Sequence, residues 1–138
     1  MTYSHILVAV APTPESLTLI KKAVSIARPE GAQISLITFA SDPEIYNQFA
    51  APMMENLREL MQEETRQFLA SLVNNAGYPI ARTTIAGGEL GESIKAFCMK
   101  HAADLVICGN HNQSFFARAT TSAKTVADCG VDVLLVSL

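Results

Sequence analysis

The sequence predicts an α/β domain: a single doubly wound open parallel five-stranded sheet in the order 3-2-1-4-5, with helices on both faces. Three observations lead there. Short apolar runs alternate along the chain with longer segments of helical periodicity. Proline and glycine fall between these segments, not within the apolar runs. The first run, HILVAVA, is apolar nearly throughout, as a strand covered on both faces must be.

The first strand is read at His5 to Ala11 (HILVAVA), ended by Pro12. Thr13 offers an N-cap oxygen and Pro14 suits a first helical position. Leu17, Ile20, Val24 and Ala27 then recur at helical spacing until Arg28-Pro29-Glu30-Gly31 closes the helix. QISLITF, Gln33 to Phe39, is the second strand, and strand, helix, strand implies a right-handed crossover. SDPEIYNQFAAPMM is irregular and reads as a loop with one short turn at most.

A second helix follows, with Leu57, Leu60, Met61, Phe68, Leu72 and Val73 on its apolar face, ended by Gly77-Tyr78-Pro79. Ile80 to Ala86 (IARTTIA) alternates more than the other strands, so the third strand is expected at a sheet edge. Gly87-Gly88 leads into a helix bearing Ile94, Phe97, Cys98 and Ala102, before DLVIC, Asp104 to Cys108, as strand four. A fourth helix, through Phe116, Ala119, Ala123, Val126 and Ala127, closes at Cys129-Gly130, where glycine can adopt the left-handed cap. VDVLLVSL is the fifth strand.

At 138 residues the chain suits one domain over 1–138, with no repeat or linker. Hydrophobic residues are 49% and charged residues 17%, and no apolar run approaches the roughly 20 residues of a membrane span. No basic segment precedes the first apolar run, so no secretory signal is expected and the cytoplasm is the expected location. The net charge of -3 without a Lys/Arg stripe argues against direct nucleic-acid binding. Three cysteines, Cys98, Cys108 and Cys129, share no ligand spacing, so neither a metal site nor a disulfide framework is expected.

Open α/β sheets place ligands where the strand order reverses, here between strands one and four. That brings APTPES beside GNHNQS. A receiver domain would need acidic residues after strand one and an aspartate after strand three, where this chain has Ala11-Pro12 and Ala86-Gly87-Gly88. A flavodoxin needs a glycine-bearing first loop, which APTPES lacks.

The segments ILVAVAPTPES, KAVSIARP, NAGYPI, GELGESI, DLVICGNH and VDVLLVSL, in that order, resemble the universal stress protein family, and within it the A subgroup. The likeness spans nearly the whole chain. It implies the same five-stranded fold, dimerisation through the last strand, and a role in stress survival that includes resistance to DNA-damaging agents. Nucleotide-binding members carry a phosphate signature of Gly, two residues, Gly, nine residues, Gly and Ser or Thr. On that spacing Gly109 is retained, while Asn112, Ser122 and Ala123 replace the other three positions. Glycine lets backbone amides converge on phosphate, and the terminal hydroxyl adds a donor. Many relatives also have an acidic residue after strand one, where this chain has Ala11.

The expected function is therefore that of a non-enzymatic stress-response factor with no cofactor, or at most weak adenine-nucleotide binding. It would act as a homodimer, or a heterodimer with paralogues, through Val133, Leu134, Leu135 and Val136. The alternative is a nucleotide-binding switch or slow ATP hydrolase using the strand one/strand four crevice. GNHNQS reads first as a solvated turn. His111 has the chemistry of a general base but no identifiable nucleophile, and Lys124 and Arg118 serve equally as solvated charges. Cys108 at a strand end suggests a redox thiol, against a packing role for all three cysteines. Glu89 and Glu92 complement a helix N-terminus.

Overall fold

The structure, a computed structural model, describes residues 3–11, 15–39, 51–86, 90–110, 126–128 and 130–137. Its strands are β1 (His5–Ala9), β2 (Gln33–Phe39), β3 (Ile80–Ala86), β4 (Leu105–Asn110) and β5 (Asp132–Ser137). Its helices are α1 (Ser16–Ala27), α2 (Ala51–Asn75) and α3 (Leu90–His101). All pairings are parallel and the order is β3-β2-β1-β4-β5, as the sequence predicts. The fourth helix falls mainly outside the described residues, although Val126 and Ala127 are helical.

The central position of β1 explains its composition. Ile6, Leu7 and Val8 are wholly buried because both faces of the strand are covered. Side chains alternate across a strand, so Ile6, Val8 and Val10 join the core built with α1 and α2, while Leu7 and Ala9 join the core built with α3. Each of the isoleucine, leucine and valine side chains contributes about 1.5–3 kcal/mol when fully buried. On α1 the buried face runs through Ser16, Leu19, Ile20, Ala23, Val24 and Ala27. Leu17, expected on that face, is only half-buried.

Several boundaries depart from the sequence reading. Helical backbone in α1 begins at Ser16 with Glu15 at the N-cap position, while Thr13 and Pro14 lie outside the described residues. The expected loop through Ala51-Pro52-Met53-Met54 is instead the first turn of α2. Proline is tolerated there because the first turn leaves its N–H groups without intrahelical partners. Ala102 is exposed and follows α3 in the left-handed region at φ 56°, where the Ala103 N–H closes the helix onto the Cys98 carbonyl. Gly130 takes the expected left-handed conformation at φ 84°. β3 lies at a sheet edge, also as expected, and residues 81–83 are exposed.

Candidate functional site

β1 pairs with β2 on one side and β4 on the other, with Ile6, Leu7 and Val8 opposite Leu105, Val106 and Ile107. The carboxyl ends of β1 and β4 lie side by side, the position at which an open α/β sheet places its crevice.

The β1 wall of this crevice is tied down by neighbouring side chains. Val10 N–H donates to the Ile37 carbonyl at 2.9 Å, and the buried Thr38 hydroxyl donates to the Val10 carbonyl at 2.7 Å. Ser16, only 2% exposed, accepts from Ala11 N–H at 3.1 Å and donates to the Ala11 carbonyl. The peptide groups around Ala11 are thus engaged within the protein. Its methyl side chain has no polar atom to add.

On the β4 wall the structure corrects the sequence reading of Gly109. This glycine does not open a loop: it is buried in β4 opposite Val136, and pairing continues to Asn110 opposite Ser137. The reason is that β5 extends alongside and holds the backbone in strand geometry for two residues beyond Cys108. Asn112, Ser122 and Ala123 lie outside the described residues, as do His111, Arg118, Lys124, Glu89 and Cys129. Glu92 stands exposed in the first turn of α3, where a carboxylate complements the helix N-terminus.

The redox reading of Cys108 finds no support in its surroundings. Its side chain is buried, and burial pushes the thiol up to about 12, away from the thiolate that reactivity needs. Cys98 is buried on α3 and belongs to the same apolar cluster. Both thiols should therefore resist a charged thiol reagent in mildly alkaline buffer until the protein unfolds. Stoichiometric labelling of the folded protein at Cys108, located by mass spectrometry, would contradict this.

At the opposite end of the sheet lies a polar network that the sequence reading missed. His5 is buried at the start of β1, with Nδ1 donating to the His101 carbonyl at 2.9 Å. A carbonyl can only accept, so Nδ1 carries the proton, and in the neutral ring the Ser35 hydroxyl donates to Nε2 at 2.7 Å. Asp104 accepts from Ser4 N–H at 2.8 Å and His5 N–H at 3.0 Å. Ser35 and His5 have the hydrogen bond of a nucleophile–base pair, but Ser35 is 0% exposed and no substrate reaches it. The pair ties β1 to β2. A histidine opening a run buried on both faces was the available signal.

The His101 ring packs tilted against Phe97, at 46° and 4.5 Å between ring centroids. Loss of hydration, then the charges of Arg82 and Lys100, hold it below its ordinary 6.5. Since the folded-state value lies below the unfolded one, protonation favours the unfolded chain. The stabilisation is present above pH about 6.5 and is lost as pH falls through the folded value. A ring-proton NMR titration should place the His101 midpoint below 6.5, and Arg82→Gln should raise it. An unchanged midpoint would remove Arg82 as a cause.

A groove of about 510 Å³ lies elsewhere, between α2 and β3, floored by Leu69, Val73 and Ile85. Among the described residues no group of three or more metal-ligating side chains is placed to hold an ion, and no helix is long and apolar enough to cross a membrane.

With this geometry established, the chain matches the model of the universal stress protein family over residues 2–137. It is 66% identical to universal stress protein C of Salmonella typhimurium across 100% of this chain and 98% of that one. Universal stress protein A of the same organism is 39% identical across 100% of this chain and 96% of that one. Among solved structures, a universal stress protein in complex with cAMP superposes with a TM-score of 0.60 at 20% identity, covering 99% of this chain and 98% of that one. A likeness at that identity speaks for the fold.

Proposed function

Because the chain belongs to the universal stress protein family, we propose that it is a non-enzymatic cytoplasmic stress-response factor that works as a dimer through protein contacts. What carries the reading is β5. This strand is hydrogen-bonded to β4 on one side and forms the sheet edge on the other. Leu135 is 36% exposed, Val133 and Leu134 are half-buried, and Val136 is buried. An apolar edge of this kind favours pairing with another chain, and two-fold pairing of identical edges closes without forming a fibre. A paralogue with a similar last strand would fit the same edge as a heterodimer.

Resistance to DNA-damaging agents is the stress role that the family likeness implies. Survival of a deletion strain after ultraviolet exposure, with and without the plasmid-borne gene, tests it; equal survival removes this part of the reading.

The second reading is a nucleotide-binding switch or slow ATP hydrolase, favoured by the cAMP complex of the structural neighbour. Ala11, Asn112, Ser122 and Ala123 all weigh against it, as does the engagement of the Ala11 peptide groups by Ser16. Calorimetry should find ATP binding weaker than about 100 µM, corresponding to less than about 5.5 kcal/mol. Asn112→Gly with Ser122→Gly and Ala123→Ser should tighten it by roughly tenfold, about 1.4 kcal/mol. Stoichiometric binding of ATP to the natural sequence at low micromolar concentration would favour the switch instead.

A further inference from the structure

The edge strand at the other side of the sheet carries a second, independent set of features. Among the described residues β3 is hydrogen-bonded only to β2, so its outer backbone groups face away from the sheet. The groove between β3 and α2 runs directly beside that edge. Thr83 and Ile85 line it from β3, and Arg66, Leu69 and Val73 line it from α2. Residues two apart on a strand share a face, so a strand added beside Thr83 and Ile85 would drop its alternate side chains into the groove. At about 510 Å³ the groove takes more than one aliphatic side chain.

Charge sets the intervening positions. Arg82 lies between Thr83 and Ala81 in sequence and so points to the opposite face of β3, where it is exposed. Among the described residues it forms no ion pair. Arg66 at the groove rim stands 3.7 Å from Glu63, a solvated pair with side chains 65% and 56% exposed, which contributes little. The β3 edge therefore offers backbone groups, an apolar recess on one face and, on the other, an exposed guanidinium without an ion pair among the described residues.

We propose that the β3 edge and the α2/β3 groove accept an extended segment of another protein as a sixth strand, with apolar side chains in the groove alternating with acidic ones facing Arg82. Backbone pairing supplies the attachment, and the alternate side chains supply the selectivity. This surface is separated from the β5 edge by the width of the sheet, so it can be occupied in a dimer.

The test uses the full chain, isotopically labelled, and a blocked strand-length peptide alternating valine and glutamate. Addition of the peptide should shift amide signals and slow hydrogen exchange at 81–85, with side-chain shifts at Leu69 and Val73. A peptide with proline at its centre should not bind, and one alternating valine and lysine should bind at least tenfold more weakly, about 1.4 kcal/mol. Arg82→Glu, at an exposed position, should reverse the preference between the glutamate and lysine peptides. Equal binding of both peptides to the natural sequence, shifts confined to β5, or no response at millimolar peptide would each overturn the proposal. So would decanoate entering the groove while the peptide does not bind, since the recess would then serve a small amphiphile. If the Arg82 variant fails to fold, the glutamate and lysine comparison on the natural sequence still decides.

Discussion

Replacing His5 with alanine is expected to lower the stability of the domain by about 3–5 kcal/mol, through loss of a buried ring and of two hydrogen bonds. The ring packs edge-on against Phe97 at 6.0 Å, so its removal leaves a cavity between β1 and α3. It also strands the hydroxyl of Ser35, which is fully buried, and the carbonyl of His101. Leaving buried polar groups without partners costs more than a made bond gains, about 1–3 kcal/mol for each group. The midpoint of thermal unfolding should fall by roughly 10–15 °C for a chain of this length. Ser35→Ala alone should cost less, and combined with His5→Leu it should recover part of the loss because both polar partners are removed together. Circular dichroism during heating is the measurement. A His5→Ala midpoint within a degree or two of the natural protein would show that the network adds little. Any nucleotide affinity should be unchanged, because the network and the crevice lie at opposite ends of β1.

Leu135→Asp is expected to separate the proposed β5-paired dimer. Two-fold symmetry places both copies of a substitution in one interface, so two carboxylates would enter an apolar seam without counter-charges. A loss of about 3 kcal/mol or more weakens association by at least 100-fold. The monomer should fold, because Leu135 is 36% exposed and its neighbours Leu134 and Val136 keep their contacts with the core. Sedimentation at tens of micromolar should show a dimer for the natural sequence and a monomer for the variant. A monomeric natural protein at that concentration would remove the β5 interface from the functional reading.

Strands were the most legible part of the fold. Apolar runs bounded by breakers located β2 and β3 to the residue, Gln33–Phe39 and Ile80–Ala86, and the alternation in IARTTIA marked its edge position. Errors came where one residue type serves two local structures. The stretch through Pro52 reads as a loop, although proline fits the first turn of a helix equally well, and α2 begins there. Gly109 reads as a loop opener because local sequence carries no trace of β5, whose pairing extends β4 to Asn110. The motif spacing names Asn112, Ser122 and Ala123, which lie outside the described residues, while the Ser16 clasp on Ala11 depends on a turn that residue types alone do not specify. The His5 network was hidden for a different reason. Its partners Ser35, His101 and Asp104 come from three other segments, and only the sheet order brings them together.

That same sheet order governs how the chain is born. β1 is made first, but its partner on one side, β4, arrives about a hundred residues later; the bond from His5 N–H to Asp104 spans 99 positions. At a synthesis rate of about 5–20 residues per second, Ile6, Leu7 and Val8 spend roughly 5–20 s with one strand edge open after they are made. During that interval β1, α1 and β2 can form a local unit, but its open edge has the hydrogen-bonding pattern that β4 of any neighbouring copy could fill. Crowded synthesis of this chain therefore carries a risk of exchanged β4 strands between nascent molecules, and chaperone occupancy should be highest before residue 105 emerges.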